Sequence, residues 1–308
     1  MKARTTTLCL AAFLLLLSQT NAQAQLKGFA FLRTTVGARA AGMGNAYIAM
    51  KNDLHSIVAN PAALAGISER RGTFDYVNHL LDIQSGFGAY LHPMASGNLA
   101  FSLFYQDYGK LDKLDEQGNE QGTFSANSFI LTAAYARPST EKLWLGAAIK
   151  YFRSNIEDFS ADGFAVDLGV YLSTSIFDNL QIGAGVFNLG KARTAFITTK
   201  EDLPTRLEVG VSKRLAHLPL EWALSLQKYP DEDLRFAAGG EFTLSENLFF
   251  RLGYNSLGKD QKLGASSDRF AGISTGLGLS YEKYQFDYAY SSYGVVGSLS
   301  RFSVSIKF

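Results

Sequence analysis

Leu299-Ser300-Arg301-Phe302-Ser303-Val304-Ser305-Ile306-Lys307-Phe308 alternates without a break. Successive side chains of a strand point to opposite faces, so Phe302, Val304, Ile306 and Phe308 share one face and Arg301, Ser303, Ser305 and Lys307 the other. A soluble sheet can alternate in this way, but it would bring an aromatic carboxy-terminus to an exposed position. A strand that closes a membrane barrel resolves the difficulty, because its apolar face meets lipid and its polar face meets the lumen. On this register Val304→Arg is expected to be costly and Ser303→Arg mild.

The composition allows that reading. Of 308 residues 47% are hydrophobic and only 19% charged, yet the mean hydropathy is zero. A helix that spans a bilayer needs roughly 20 apolar residues. The longest apolar run, Leu8 to Leu17, is too short. Lys2 and Arg4 precede this run and Ala22-Gln23-Ala24 follows it, the pattern of a cleaved signal peptide over residues 1–24. The chain is therefore expected to be exported, with mature residue Gln25. Loss of Lys2 and Arg4 takes the formal charge from +1 to −1, which argues against a nucleic-acid partner, whose phosphates demand a basic surface. Cys9, the only cysteine, lies inside the apolar run, so a disulfide or thiolate metal site in the mature chain is excluded.

Alternation bounded by turn residues predicts an all-β, transmembrane antiparallel barrel of about fourteen strands over residues 69–308. The strands fall near 71–80, 84–92, 97–107, 123–136, 141–153, 162–174, 178–189, 204–215, 219–228, 233–244, 247–255, 270–282, 284–293 and 299–308. Connections after odd strands are often long (108–122, 154–161, 190–203, 256–269), whereas those after even strands are short. Outer-membrane barrels show this asymmetry between external loops and periplasmic turns.

Within strands, Tyr284, Phe286, Tyr288 and Tyr290 oppose Asp287, while Leu234, Phe236, Ala238, Phe242 and Leu244 oppose Arg235 and Glu241. Charges of both signs thus face the lumen, where a buried charge needs a partner. Asp75, Lys150, Asp167, Arg206, Glu208, Arg235, Glu241, Arg251 and Asp287 are expected to pair across the lumen or with the segment that precedes the strands, as struts or as ligand contacts.

That segment is rich in small residues. Gly37-Ala38-Arg39-Ala40-Ala41-Gly42-Met43-Gly44 is followed by Asn60-Pro61-Ala62-Ala63-Leu64, a turn that can start a short helix. Gly42-x-Gly44 lacks the third glycine, the Lys-Ser/Thr pair and the preceding strand of a phosphate loop. A free arm would leave Phe29, Phe31, Leu32, Met43, Tyr47 and Ile48 in water, which favours packing of residues 25–68 inside the barrel, with Arg39 meeting Asp167, Glu208, Glu241 or Asp287.

Catalytic and cofactor chemistry finds no support. Gly272-Ile273-Ser274-Thr275-Gly276 matches the hydrolase pattern G-x-S-x-G but runs on into more strand. His55, His79, His92 and His217 lack metal-ligand spacing and suggest no base for that serine. Asp231-Glu232-Asp233 and the acids Asp112, Asp115, Glu116 and Glu120 are expected to be solvated loop residues.

GARAAGMGNAYIAM, the acid that follows and NPAALAG, together with GFAVDLGVYL (163–172), FNLG (187–190), LPTRLEVGVS (203–212) and FDYAYSSYGVVG (286–297), resemble the PorV/PorQ family, which is similar to FadL-type outer-membrane proteins. The resemblance spans nearly the whole mature chain. It implies that residues 25–68 form a plug in the lumen, with Gly37, Arg39, Gly42, Gly44, Asn60 and Pro61 as its motif. It also implies residence in the outer membrane of a Gram-negative bacterium and a non-enzymatic role in type IX secretion or surface attachment, with other secretion proteins or exported cargo as partners. FadL-like passage of a hydrophobic small molecule is the alternative. The chain is shorter than typical FadL-type transporters, and the saving falls in the external loops.

Overall fold

The computed structural model describes residues 28–80, 82–177 and 179–308. The signal-peptide reading of 1–24, and residues 25–27 of the segment behind it, lie outside the described residues. Arg71–Asn78 (β1) pairs antiparallel with Gln84–Met94 (β2) on one side and with Ser298–Lys307 (β14) on the other. Between them Gly97–Leu114 (β3), Glu120–Pro138 (β4), Leu143–Ile156 (β5), Phe159–Ser173 (β6), Gln181–Ala192 (β7), Arg206–Arg214 (β8), Leu220–Lys228 (β9), Arg235–Ser245 (β10), Leu248–Asn255 (β11), Ile273–Tyr281 (β12) and Tyr284–Ser292 (β13) follow in order. Each pairs with its sequence neighbours, so fourteen strands form a closed barrel. Closure satisfies the backbone donors and acceptors that lipid cannot.

The register of β14 follows its sequence alternation. Phe302 and Val304 are 50% and 40% exposed on the outer face, whereas Arg301 and Ser303 are 4% and 2% exposed within. Ser303 corrects one expectation, because its Oγ accepts a hydrogen bond from the Ala38 backbone N–H at 2.8 Å. An arginine there would collide with the segment inside the barrel and is not mild.

Both barrel termini lie at the end that carries the short turns, such as Ser96 between β2 and β3 and Lys283 between β12 and β13; this is the periplasmic end. The opposite, extracellular end carries 193–205 and 256–272, the latter with two 3-10 turns, Ser256–Gln261 and Ser266–Phe270. Two connections expected to be long are instead strand. β3 and β4 run on as a ladder, pairing Leu111 with Phe124 and Leu114 with Glu120, so most of 108–122 is hairpin. Ile156 pairs with Phe159, leaving only Glu157 and Asp158 as a turn. Alternation persists there with polar residues on both faces, which hides a strand from a reading based on apolar periodicity.

The inner wall has two characters. Phe87, Phe104, Ile130 and Phe152, from β2 to β5, are buried with Phe29, Phe31, Leu32 and Ile57 in one apolar cluster. The wall from β8 round to β1 presents instead the buried polar groups Glu208, Glu241, Arg251, Asp287, Ser303 and Asp75. Strand alternation led to the expectation of polar strand faces toward the lumen, which the second of these walls follows and the first does not. The apolar half is stable because the amino-terminal segment, and not water, covers it.

Candidate functional site

Residues 28–68 descend through the barrel from the extracellular to the periplasmic end. Phe29 stacks on Phe196 of the loop after β7 with ring centroids 6.2 Å apart, and Arg33 pairs with Glu232 after β9 at 2.6 Å. At the other end the Asn98 side chain donates to the Leu64 and Ile67 carbonyls at 2.6 and 2.7 Å. In between, the short helices Ala38–Gly42 and Ser56–Ala59 and the 3-10 turn Pro61–Gly66 carry the small residues of the sequence motif.

Space sets where those residues must be small. A Cβ on Gly253 of β11 would sit 2.0 Å from the Gly44 nitrogen, and one on Gly239 of β10 would sit 2.4 Å from the Met43 carbonyl oxygen. Gly183 meets the Ile48 carbonyl at 2.2 Å in the same sense, Gly169 the Asn60 side chain at 2.2 Å and Gly146 the Ala62 nitrogen at 2.3 Å. Backbone therefore lies directly on backbone across much of the wall. Gly44 also has φ 63°, a left-handed conformation that a side chain resists, with Tyr254 backbone 2.5 Å from its notional Cβ. Gly42 faces Gly276, the last glycine of the G-x-S-x-G match, so that motif is a packing surface.

Hydrogen bonds fix the register of the segment on the wall. Asn60 donates to the carbonyls of Ile48 and Val170 at 2.8 and 3.1 Å, while its Oδ1 caps the following turn by accepting from Ala62 N–H at 3.1 Å. Pro61 occupies the first position of that turn, where its missing N–H costs nothing. Ser212 donates to the Ala49 carbonyl at 2.9 Å and Asn255 to the Gly44 carbonyl at 3.0 Å. The Gly37 N–H donates to Asp75 at 3.1 Å.

The charged core of the contact is a chain of ion pairs. Arg39 meets Glu241 in a two-pronged arrangement, Nε and Nη2 each 2.7 Å from a carboxylate oxygen. Glu241 also accepts from Arg251 at 2.6 Å, and Arg251 reaches Asp287 at 2.6 Å. The last pair spans β11 to β13 over Gly278, where a Cβ would lie 2.6 Å from both groups. His55, whose spacing suggested neither a metal nor a catalytic role, lies between Asp53 at 2.6 Å and Asp75 at 2.9 Å, with Tyr47 O–H donating to Asp53. Burial works against a charge on its ring, but Asp75 and Asp53 outweigh burial and raise its pKa well above the ordinary value.

The other lumen charges pair within the wall. Lys150 meets Asp167 at 2.5 Å and Asn188 at 3.0 Å, and Arg206 meets Glu208 at 3.2 Å while lying over the Phe187 ring. Asn188 sits at a bulge in β7 with φ 56°, and its N–H donates to Asp167 at 2.7 Å. Arg235 lies at the extracellular rim with Glu232 and Asp260. The lumen charges were expected to pair across the lumen or with the preceding segment; Asp75 and Glu241 do reach that segment, while Lys150 with Asp167 and Arg251 with Asp287 join near-neighbouring strands and Arg206 with Glu208 lies within β8. Glu232, read as solvated, bridges Arg33 and Arg235. Asp112, Asp115, Glu116 and Glu120 lie on the exposed β3–β4 hairpin. Among the described residues no cluster of histidine, cysteine or carboxylate side chains could hold a metal.

Comparison with known proteins agrees with this architecture. The chain is similar in fold to the toluene transporter TbuX of Ralstonia pickettii, with TM-score 0.62 and 14% identity over 89% of this chain and 98% of that one. A FadL homologue of Pseudomonas aeruginosa gives 0.61 and 12% over 89% and 99%. The toluene transporter TodX of Pseudomonas putida gives 0.58 and 14% over 91% and 97%. No curated protein matches the chain in sequence. A family model described as type IX secretion system protein PorV matches residues 17–211, more than half of the chain. A closed barrel of fourteen strands related in this way is an outer-membrane protein of a Gram-negative bacterium. The chain belongs to the PorV family.

Proposed function

We propose that this barrel is a non-enzymatic accessory component of type IX protein secretion or surface attachment, which acts through contacts with secretion proteins or exported cargo and keeps its own lumen closed. The observation that carries this reading is the plug-like seat of residues 28–68: backbone packed on wall glycines and Arg39 clamped to Glu241 favour a fixed stopper over a movable gate. Membership of the PorV family supplies the secretion context. Deletion of the gene in its host should abolish surface display of type IX cargo while leaving general outer-membrane assembly intact. Complementation by the intact chain should restore display. A deletion strain with normal cargo display contradicts the proposal.

FadL-like passage of a hydrophobic small molecule is the second reading. It is favoured by the likeness in fold to proteins described as toluene transporters and by the apolar half of the lumen. An affinity pull-down from detergent-solubilised outer membrane separates the two readings. Co-purifying secretion components support the first, and a bound apolar molecule in place of protein partners supports the second.

A further inference from the structure

Above the layer of Glu241, Arg251 and Asp287 a cavity of about 380 Å³ remains between the amino-terminal segment and the wall. Its lining carries the lysine and arginine side chains Arg33, Lys150, Arg206, Arg235 and Arg301, together with His55, which Asp53 and Asp75 neutralise, and among the described residues one carboxylate, Glu208. Four of the cations have acids of their own, in Glu232, Asp167, Glu208 and Asp260. Arg301 has none among the described residues. It is 4% exposed, its Nη1 donates to Ser291 Oγ at 3.2 Å, and its Nε has no hydrogen-bond partner.

The register shows which way this side chain turns. Arg301 lies opposite Ala289, and Ser291 lies opposite Leu299, one lumen-facing position nearer the extracellular end. Asp287 and Asp75 both lie opposite Ser303, one position nearer the periplasm. The guanidinium thus turns from the carboxylates that could neutralise it toward the cavity. His79, which also lines the cavity, hydrogen-bonds Ser85 at 2.8 Å; burial and the nearby Arg301 lower its pKa to about 4, so it stays uncharged at neutral pH.

A buried cation without a counter-ion is costly, and a guanidinium presents a fork of donors that fits two oxygens of one anion. Arg206 Nε is likewise without a partner on the same cavity. Leu32, Val36, Ile48 and Phe187 supply apolar surface beside these groups, and the volume falls in the range of small-molecule pockets.

We propose that the cavity is an oxyanion-binding site in which Arg301 is the principal ligand, taking either a free ion or the anionic group of a small organic molecule. The site goes beyond the secretion role and does not depend on it, and a purely hydrocarbon cargo would leave Arg301 without its counter-ion.

Calorimetry on the full chain in non-ionic detergent tests this with inorganic phosphate and phenyl phosphate as probes. Saturable binding by the native chain, weakened about tenfold or more by Arg301→Gln, is the expected result. Equal affinity for the two probes identifies a free ion as the ligand, and tighter binding of phenyl phosphate identifies an organic one. Failure of both probes to bind, or equal binding by the native chain and a folded Arg301→Gln variant, overturns the proposal. Should that variant not fold, crystals of the native chain soaked in selenate decide. An anomalous peak within hydrogen-bonding distance of Arg301 supports the site, and a cavity without one rejects it.

Discussion

Glu241 neutralises two arginines at once, one from the amino-terminal segment and one from the wall. Arg39 and Arg251 both reach its carboxylate at 2.6–2.7 Å, and Glu241 itself is 6% exposed. Removal of one partner from a buried ion pair leaves an uncompensated charge and costs about 3–5 kcal/mol. Glu241→Ala is therefore expected to lower the barrel's unfolding midpoint in detergent strongly, because two cations lose a partner. Arg39→Ala, which leaves Arg251 on Glu241, should cost less. Equal losses from the two changes would show that the clamp is not shared. This pairing was half legible in the sequence: strand alternation placed Glu241 in the lumen and made it one of four candidates for Arg39, but only the register of β10 against the segment selects it. His55 was illegible for a related reason. Its partners Asp53 and Asp75 stand on a turn and a strand whose approach depends on the closed barrel.

Individual strands were read well where one face is apolar and poorly where neither is. β14 follows its alternation from Leu299 to Val304, whereas the β3–β4 and β5–β6 hairpin ends carry polar residues on both faces and read as loops. Val304→Arg places a charge on the outer face of β14 and should cost about 2–4 kcal/mol near the bilayer midplane, less near an interface. Reduced recovery of heat-modifiable barrel in a membrane-assembly assay measures the effect. Unchanged recovery would reject the register. The wall glycines allow a second comparison within the sheet. Gly253→Ala drives a methyl group to 2.0 Å from Gly44, while at Gly88 the nearest atom to a new Cβ is the Thr73 carbonyl oxygen at 4.0 Å. Overpacking of this kind typically costs about 1–3 kcal/mol. Gly253→Ala should speed proteolytic cleavage of the amino-terminal segment, and Gly88→Ala should leave it as in the native chain. Glycine content alone could not have separated the two positions, because the difference lies in what faces each of them.

For the whole molecule, the strand ladder closes through β1 and β14 and, among the described residues, includes none before Arg71. The amino-terminal segment contributes packing, ion pairs and side-chain hydrogen bonds, but no strand. The hydrogen-bonded ladder can therefore close without the segment, even though the segment covers apolar wall and neutralises buried charge, and in this account it is the segment that holds the lumen shut. Single-channel recording in planar bilayers compares the intact chain with a barrel lacking residues 28–68, each first shown to be folded by heat-modifiability. The intact chain is expected to pass almost no current and the shortened barrel to conduct ions freely and steadily. Equal conductance from the two barrels would contradict the account.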